Sequence, residues 1–168
     1  MIFVTIGASE FQFNRMLRWV DGALAGLGIP RETVFFQIGL SSYRPRNGEY
    51  TGFVDFREME ERIKNADLVI CHAGAGTVLI SLVNGKKPIV IPRRKEYAEA
   101  VDNHQVAFAD HLASNNLVIY PRTTRDLKEA IAAPEAHLSK GSGLASVDQS
   151  RDRLIRYLSE ELEDRRGR

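Results

Sequence analysis

The chain alternates between short apolar runs and longer amphipathic segments. The apolar runs are rich in Val and Ile and mostly lack polar alternation, which is typical of strands buried on both faces of a parallel sheet. Strands are predicted over residues 2–6, 34–38, 68–71, 88–91 and 117–120, with a weaker one over 50–54. Helices are predicted over residues 13–27, 56–65, 76–84, 102–114 and 124–133. This order predicts an α/β fold, a doubly wound parallel sheet of Rossmann-like type.

The C-terminal part departs from this rhythm. We predict one α/β domain over residues 1–134, a flexible connector over 135–146 that is rich in Ser and Gly, and a helix with a charged tail over 147–168. The helix has apolar positions near one face. Two interpretations stay open: it packs on its own domain, or it reaches a partner subunit.

Composition narrows the possible environments and partners. The 23 basic and 22 acidic residues give a net charge of +1, so no overall basic field points to nucleic acid. The single cysteine excludes an internal disulfide and fits a reducing compartment. The first residues are expected to form a strand rather than a signal peptide, and no apolar run approaches the roughly 18 residues of a membrane span. We therefore expect a cytoplasmic protein, or one held at a membrane by another molecule.

The most informative motif stands where the third full strand ends. His72 closes the apolar run, and Gly74, Ala75, Gly76 and Thr77 lead directly into a helical pattern. Free amides of a first helical turn, with the helix dipole, bind phosphate. A lone His is commonly an ordinary surface or core residue, but a His before Gly-Ala-Gly-Thr at a strand end favours a phosphorylated or nucleotide-linked ligand.

Two other strand ends carry glycine and hydroxyl residues. Gly7 and Ser9 follow the first strand, and Gly39 and Ser41 follow the second. Each pair is weak alone, because many strand-to-helix turns have this composition. Ligands of doubly wound sheets bind outside the carboxyl ends of the strands, so together they extend the candidate site.

The fourth strand end opens a longer loop. Arg93 begins it, and Asn103, His104 and Gln105 end it. Cationic and amide groups of this kind hold pyrophosphate and sugar hydroxyls. The alternative is a solvated charged loop, although long loops at strand ends commonly carry function.

Several standard motifs are missing. Leu79 stands where the dinucleotide fingerprint needs its third glycine, and there is no Walker A sequence. The histidines lack metal-ligand spacing, and Cys71 has no obvious activator, which favours a structural thiol. We expect neither a metal nor a cofactor.

Taken together, the motifs resemble the glycosyltransferase family 28 C-terminal domain. The resemblance covers about residues 1–125 and rests on segments 1–7, 37–39, 66–77, 85–88, 91–94 and 102–105. It implies the donor-binding, C-terminal half of a GT-B fold, similar to the stand-alone catalytic subunit of two-component transferases. The turn from His72 to Thr77, with the glycines and serines of the first two strand ends, would face the diphosphate. The segment from Asn103 to Gln105 would face the donor sugar.

The resemblance also implies an activity. We expect transfer of a hexosyl or N-acetylhexosaminyl group from a UDP-sugar to a lipid-linked acceptor in exopolysaccharide or oligosaccharide assembly, with His72 and Arg93 stabilising the leaving diphosphate. A membrane-anchored subunit, the N-terminal GT-B half, would bring the acceptor and recruit this chain to the cytoplasmic face of the membrane. The alternatives are a non-catalytic nucleotide-binding or regulatory subunit and, ranked last, an epimerase of GT-B architecture.

One position departs from the family pattern. The helix after the glycine-rich turn usually carries a glutamate that holds the ribose hydroxyls, and here that position is Ile80. Ser81 and Asn84 are the neighbouring candidates to replace it in part. Loss of such a contact costs about 1.5–3 kcal/mol, which weakens a site without abolishing it.

Overall fold

Five parallel strands form one sheet in the order β3-β2-β1-β4-β5. The structure is a computed structural model and describes residues 1–133. The strands are β1 Ile2–Thr5, β2 Val34–Gln37, β3 Glu49–Thr51, β4 Leu68–His72 and β5 Ile89–Ile91. All four pairings are parallel, and the central strands β1 and β4 are almost wholly buried, as their unbroken apolar sequence requires.

Helices cover both faces of the sheet. They are α1 Asn14–Leu27, α2 Phe56–Asn65, α3 Ala75–Val83, α4 His104–Ser114 and α5 Thr124–Ala132. Apolar side chains of α1 and α5 pack in one core cluster, while those of α2, α3 and α4 pack in the other. Alternate residues of β1 and β4 enter the two clusters, so the sheet is filled on both sides. The predicted doubly wound parallel sheet is confirmed.

The boundaries agree closely with those expected, with one correction. All five predicted helices form within two residues of their expected ends, and the weak strand over 50–54 forms as Glu49–Thr51. The strand predicted over 117–120 is wrong, because it is only a single bridge between Ile119 and Ile89. The Leu117 amide is still bonded to the carbonyl oxygen of Leu112 at the end of α4, and Pro121 has no N–H to continue a ladder.

The regions beyond residue 133 lie outside the described part of the chain. The connector predicted over 135–146 and the helix predicted over 147–168 therefore stay predictions. Within residues 1–133, no helix combines the length and the apolar character needed to cross a membrane.

The strand order creates a switch point between β1 and β4. The chain leaves β1 through α1 on one face of the sheet, and it leaves β4 through α3 on the other face. The two connections diverge and leave a crevice at the carboxyl ends of these strands, where doubly wound proteins bind ligands. The turn after Thr5 and the turn after His72 flank this crevice.

Candidate functional site

The turn between β4 and α3 presents backbone amides to the crevice. Gly74 occupies the N-cap with extended backbone (φ −86°, ψ 130°), and no side chain caps the helix. The amide of Val78 bonds to the carbonyl oxygen of Gly74 at 3.1 Å, so the amides of Ala75, Gly76 and Thr77 precede this hydrogen bond in the first turn. Free amides and the positive end of the dipole favour an anion here.

The His72 imidazole is packed between two glycines. A Cβ on Gly7 would lie 2.5 Å from His72 Nε2, and a Cβ on Gly74 would lie 2.6 Å from Nδ1. Gly7 also has a φ of +75°, which disfavours any side chain. The ring is further fixed by a 3.2 Å contact between Nε2 and Thr77 Oγ1. The structure therefore brings the two predicted turns together around one side chain.

His72 is uncharged at neutral pH. Burial lowers the pKa of His72 to about 4 from 6.5, and the positive charge of Arg93 acts in the same direction. Within the described residues, His72 Nδ1 has no hydrogen-bond partner. A proton on Nε2 would be donated to Thr77 Oγ1 and leave the Thr77 hydrogen for a ligand oxygen, the tautomer being inferred from this geometry. His72 thus offers hydrogen bonding rather than the positive charge of a protonated ring.

Arg93 ties together the loops on either side of the crevice. Its side chain is 2% exposed and donates to the carbonyl oxygens of Ile6 (2.8 Å), Phe11 (2.9 Å) and Glu99 (3.1 Å). Burial lowers the pKa of Arg93 to about 10, against the opposing charges of Glu99 and Glu10, so the guanidinium stays protonated at neutral pH. These donors are committed to the main chain. The contact of Arg93 with a diphosphate stays a prediction.

The serines that follow the first two strands accept hydrogen bonds from backbone amides nearby. Ser41 Oγ accepts a 2.8 Å hydrogen bond from the Phe13 amide and is 2% exposed, while Ser9 Oγ accepts one of 3.2 Å from the Phe11 amide. A Cβ on Gly39 would lie 3.3 Å from the carbonyl oxygen of Gly7. The two glycine turns are therefore neighbours, but the Ser41 hydroxyl is directed at the start of α1.

Gln37 organises the site, a role that its place in segment 37–39 did not reveal. Its side chain is buried, and Nε2 donates to the carbonyl oxygens of Gly7 and Gly52, both at 3.0 Å. Its Oε1 accepts from the Gly7 amide at 3.1 Å and from Thr5 Oγ1 at 2.6 Å. This amide joins the turns after β1 and β3. The sequence feature that could have indicated this role is a polar residue at the end of an otherwise apolar strand.

The segment predicted to face the donor sugar stands beside Arg93. Gln105 Oε1 accepts a 3.1 Å hydrogen bond from the Arg93 amide, and Asn103 Oδ1 accepts one of 2.9 Å from the Lys95 amide. His104 is exposed and its Nδ1 lies 2.6 Å from Asp102 Oδ1. The structure brings these residues to the same edge of the sheet as the His72 turn. Their contact with a sugar stays a prediction.

An ion pair with a buried glutamate holds this loop in place, and it too was not anticipated. Glu99 is 4% exposed and accepts hydrogen bonds from Arg15 Nε at 3.0 Å, a terminal nitrogen of Arg15 at 2.8 Å and the Arg94 amide at 3.1 Å. Arg15 belongs to α1, on which a basic residue ordinarily indicates a solvated face. Only the folded arrangement reveals that it fixes the loop after β5.

The surroundings of Ile80 offer little in place of a carboxylate. Ile80 is half-buried and packs against the apolar cluster of α2, α3 and α4. Ser81 is fully buried and donates to the carbonyl oxygen of Thr77 at 2.8 Å, so the expectation that it replaces the carboxylate is wrong. Asn84 Nδ2 donates to the carbonyl oxygen of Ile80 at 2.9 Å.

An anion-binding turn at the switch point of a parallel sheet is typical of proteins that bind phosphorylated or nucleotide-linked ligands. The family model of the glycosyltransferase family 28 C-terminal domain matches residues 1–146. The chain belongs to this family. The expected resemblance is therefore confirmed.

Curated relatives agree with this assignment. The chain is 32% identical over 148 residues to the UDP-N-acetylglucosamine--N-acetylmuramyl-(pentapeptide) pyrophosphoryl-undecaprenol N-acetylglucosamine transferase of Methylococcus capsulatus, covering 83% of this chain and 41% of the relative. It is 30% identical over 129 residues to the human UDP-N-acetylglucosamine transferase subunit ALG13, covering 71% of this chain and 11% of the relative. The chain thus spans less than half the length of either relative.

Solved structures show the same fold. Acinetobacter baumannii MurG superposes with a TM-score of 0.59 at 21% identity, covering 89% of this chain and 44% of that one. The calicheamicin glycosyltransferase CalG4 superposes with a TM-score of 0.59 at 17% identity, covering 99% and 42%. The expected GT-B architecture is confirmed, and the chain corresponds to about half of it.

Proposed function

We propose that this chain is the donor-binding, catalytic part of a glycosyltransferase that moves a sugar from a UDP-sugar to a lipid-linked acceptor. The observation that supports this most is the uncapped N-terminus of α3 at the switch point, with Thr77 and the neutral His72 beside it. The relative from M. capsulatus is named for a pyrophosphoryl-undecaprenol acceptor, and both relatives are named for N-acetylglucosamine transfer.

The reaction requires departure of a nucleoside diphosphate. Negative charge then develops on the phosphate oxygen that leaves the sugar, and donors fixed in advance stabilise it. The amides of Ala75, Gly76 and Thr77 and the Thr77 hydroxyl supply these donors, while His72 orients the hydroxyl. Arg93 holds the two flanking loops and adds a buried positive charge nearby. No covalent enzyme intermediate enters this scheme.

The acceptor side is assigned to a separate, membrane-anchored subunit. The human relative is named as a subunit of its transferase, which supports an enzyme that works with a partner. We infer that the partner supplies the acceptor site and the general base, and that it recruits this chain to the cytoplasmic face of a membrane. Co-purification with the partner should be lost when residues 144–168 are deleted. Activity of the chain alone equal to that of the complex would contradict the proposal.

Binding of the donor is tested by calorimetric titration of UDP and UDP-N-acetylglucosamine, with and without the partner. Thr77→Val removes the hydroxyl and preserves the shape of the side chain. We expect it to weaken UDP binding at least tenfold, because a hydrogen bond to a charged group contributes about 1.5–3 kcal/mol. Thr33→Val is the matched control, because the Thr33 hydroxyl donates to the carbonyl oxygen of Pro30 before β2, at the opposite edge of the sheet. Equal affinities of the two variants would refute the assigned site.

A second candidate function is a non-catalytic nucleotide-binding or regulatory subunit. Ile80 favours it, because an aliphatic side chain cannot accept a hydrogen bond from ribose. A transfer assay with the reconstituted complex separates the two. Nucleotide binding without sugar transfer supports the regulatory function, and transfer that Thr77→Val reduces supports the catalytic one.

A further inference from the structure

A second cavity lies on the α1 and α5 face of the molecule. It has a volume of about 370 Å³ and is lined by the start of α1, the loop after β5 and the segment that precedes α5. None of its lining residues belongs to the turn from His72 to Thr77. Its size falls in the range of small-molecule sites and exceeds what a bare phosphate needs.

The lining of this cavity is cationic and aromatic. Arg15, Arg94 and Arg122 contribute guanidinium groups, Trp19 and Tyr97 contribute rings, and none of the residues 1–133 that line it carries a carboxylate. The carboxylates that pair with these arginines stand outside the lining: Glu99 with Arg15, Glu96 with Arg94 and Asp110 with Arg122.

Arg94 is the guanidinium best placed to take a ligand. Its nearest carboxylate oxygen, on the exposed Glu96, is 3.4 Å away, and such exposed pairs contribute little. Arg94 Nε is buried without a hydrogen-bond partner in the described part of the chain. Tyr120 raises the pKa of Arg94, so the two groups are close, yet the Tyr120 hydroxyl meets no hydrogen-bond geometry either. Arg94 and Tyr120 therefore stand together at one cavity wall, and the Arg94 side chain keeps 35% of its surface exposed.

The N-terminus of α5 is not the group that would bind an anion in this cavity. Thr123 and Asp126 form a capping box, and Thr124 Oγ1 lies 3.1 Å from Trp19 Nε1. Because the first turn of α5 is capped by its own side chains, the cavity attracts an anion through its guanidinium groups, of which Arg94 has the weakest carboxylate partner.

We propose that this cavity binds the phosphate or diphosphate group of a small molecule that also carries an organic substituent. Guanidinium groups bind phosphate oxygens with paired, charge-assisted hydrogen bonds, and the rings of Trp19 and Tyr97 cover the rest of the ligand. This site is distinct from the turn after β4, and it does not depend on the proposed transferase activity.

The chain offers a built-in reporter for this test. Trp19 is the single tryptophan of the sequence, and it lines the cavity. Inorganic pyrophosphate is titrated into the full chain in the presence of excess UDP, while the fluorescence of Trp19 is recorded. We expect a saturable change, weakened at least tenfold in Arg94→Gln and in Arg122→Gln. Arg125→Gln is the matched control, because Arg125 lies on α5 in an exposed pair with Glu129 but outside the lining, and its affinity should match that of the wild type.

Each result of this titration either supports the proposed site or overturns it. No saturable change up to about 1 mM, or equal weakening in the Arg125 control, overturns the proposal. Pyrophosphate binding that UDP abolishes also overturns it, because one shared site would explain both ligands. Farnesyl diphosphate and glucose 1-phosphate then distinguish the source: tighter binding of the first indicates a lipid-linked diphosphate, and tighter binding of the second indicates a free sugar phosphate. Failure of UDP itself to bind would count against the proposed transferase and leave this site standing.

Discussion

Protonation of His72 should destabilise the fold between pH 6.5 and about 4. Burial holds the pKa of His72 near 4, whereas the unfolded chain titrates near 6.5. The unfolded state therefore binds more protons in this window, and the free energy of unfolding rises with pH through it. Its contribution is fully present above pH 6.5 and is lost as the pH falls towards 4.

The size of the effect follows from the two pKa values. Each pH unit between 4 and 6.5 contributes about 1.4 kcal/mol, so the loss is at most about 3.5 kcal/mol. Carboxylates with lowered pKa values act at lower pH. Burial raises the pKa of Asp21, but hydrogen bonds from Tyr43 and the amides of Arg46 and Asn47 outweigh burial and hold it below 3.8. The stability that Asp21 contributes is lost only below that value, outside the window of His72.

The assay compares the wild type with His72→Gln, which has a polar side chain that does not titrate. Urea unfolding is followed by circular dichroism at a series of pH values from 7.5 to 4. We expect the wild type to lose about 2–3 kcal/mol more than the variant across the window, because subtraction removes every other titrating group. A difference below about 1 kcal/mol would refute the assignment of a neutral, desolvated ring.

Three further predictions concern neighbouring contacts. Gly74→Ala should lower the free energy of unfolding by about 1–3 kcal/mol and weaken UDP binding, because the new methyl group displaces the His72 ring. Chemical denaturation measures the first effect and calorimetry the second, and an unchanged affinity for UDP would contradict the packing argument. Glu99→Gln should cost about 1.5–3 kcal/mol of stability, because Arg15 loses a charged, buried partner; a neutral result in urea unfolding would show that the pair is dispensable. Ile80→Glu should tighten UDP binding about tenfold, since the ribose hydroxyls gain an acceptor; an unchanged or weaker affinity in calorimetric titration would exclude this explanation.

Local pattern was sufficient for most of the fold. The apolar runs of the strands and the capping residues of the helices act within a few positions, so element types and ends could be predicted. The strand predicted over 117–120 failed for a tertiary reason. Its first residue is still hydrogen-bonded to the end of α4, and a proline follows at once.

The location of the site could be predicted from the sequence, but the hydrogen-bond partners of its residues could not. The strand-end glycines and His72 are visible as motifs, because phosphate turns need free amides at a helix start. The roles of Arg93 and Glu99 were not visible, because their partners at Ile6 and Arg15 stand more than 80 residues away along the chain. From the sequence, the cationic side chain of Arg93 was expected to bind phosphate. In the structure its guanidinium group donates to backbone carbonyl oxygens instead.

The packing of His72 limits which residues this turn can carry in homologous proteins. Gly74 has ordinary extended backbone angles that any residue can adopt, so the imidazole alone demands glycine there. Among homologues, alanine or serine at position 74 should accompany a smaller residue at position 72, whereas position 7, with its positive φ, should stay glycine in either background. Substitutions at 72 and 74 are therefore expected to covary, and replacing both together should cost less stability than replacing Gly74 alone.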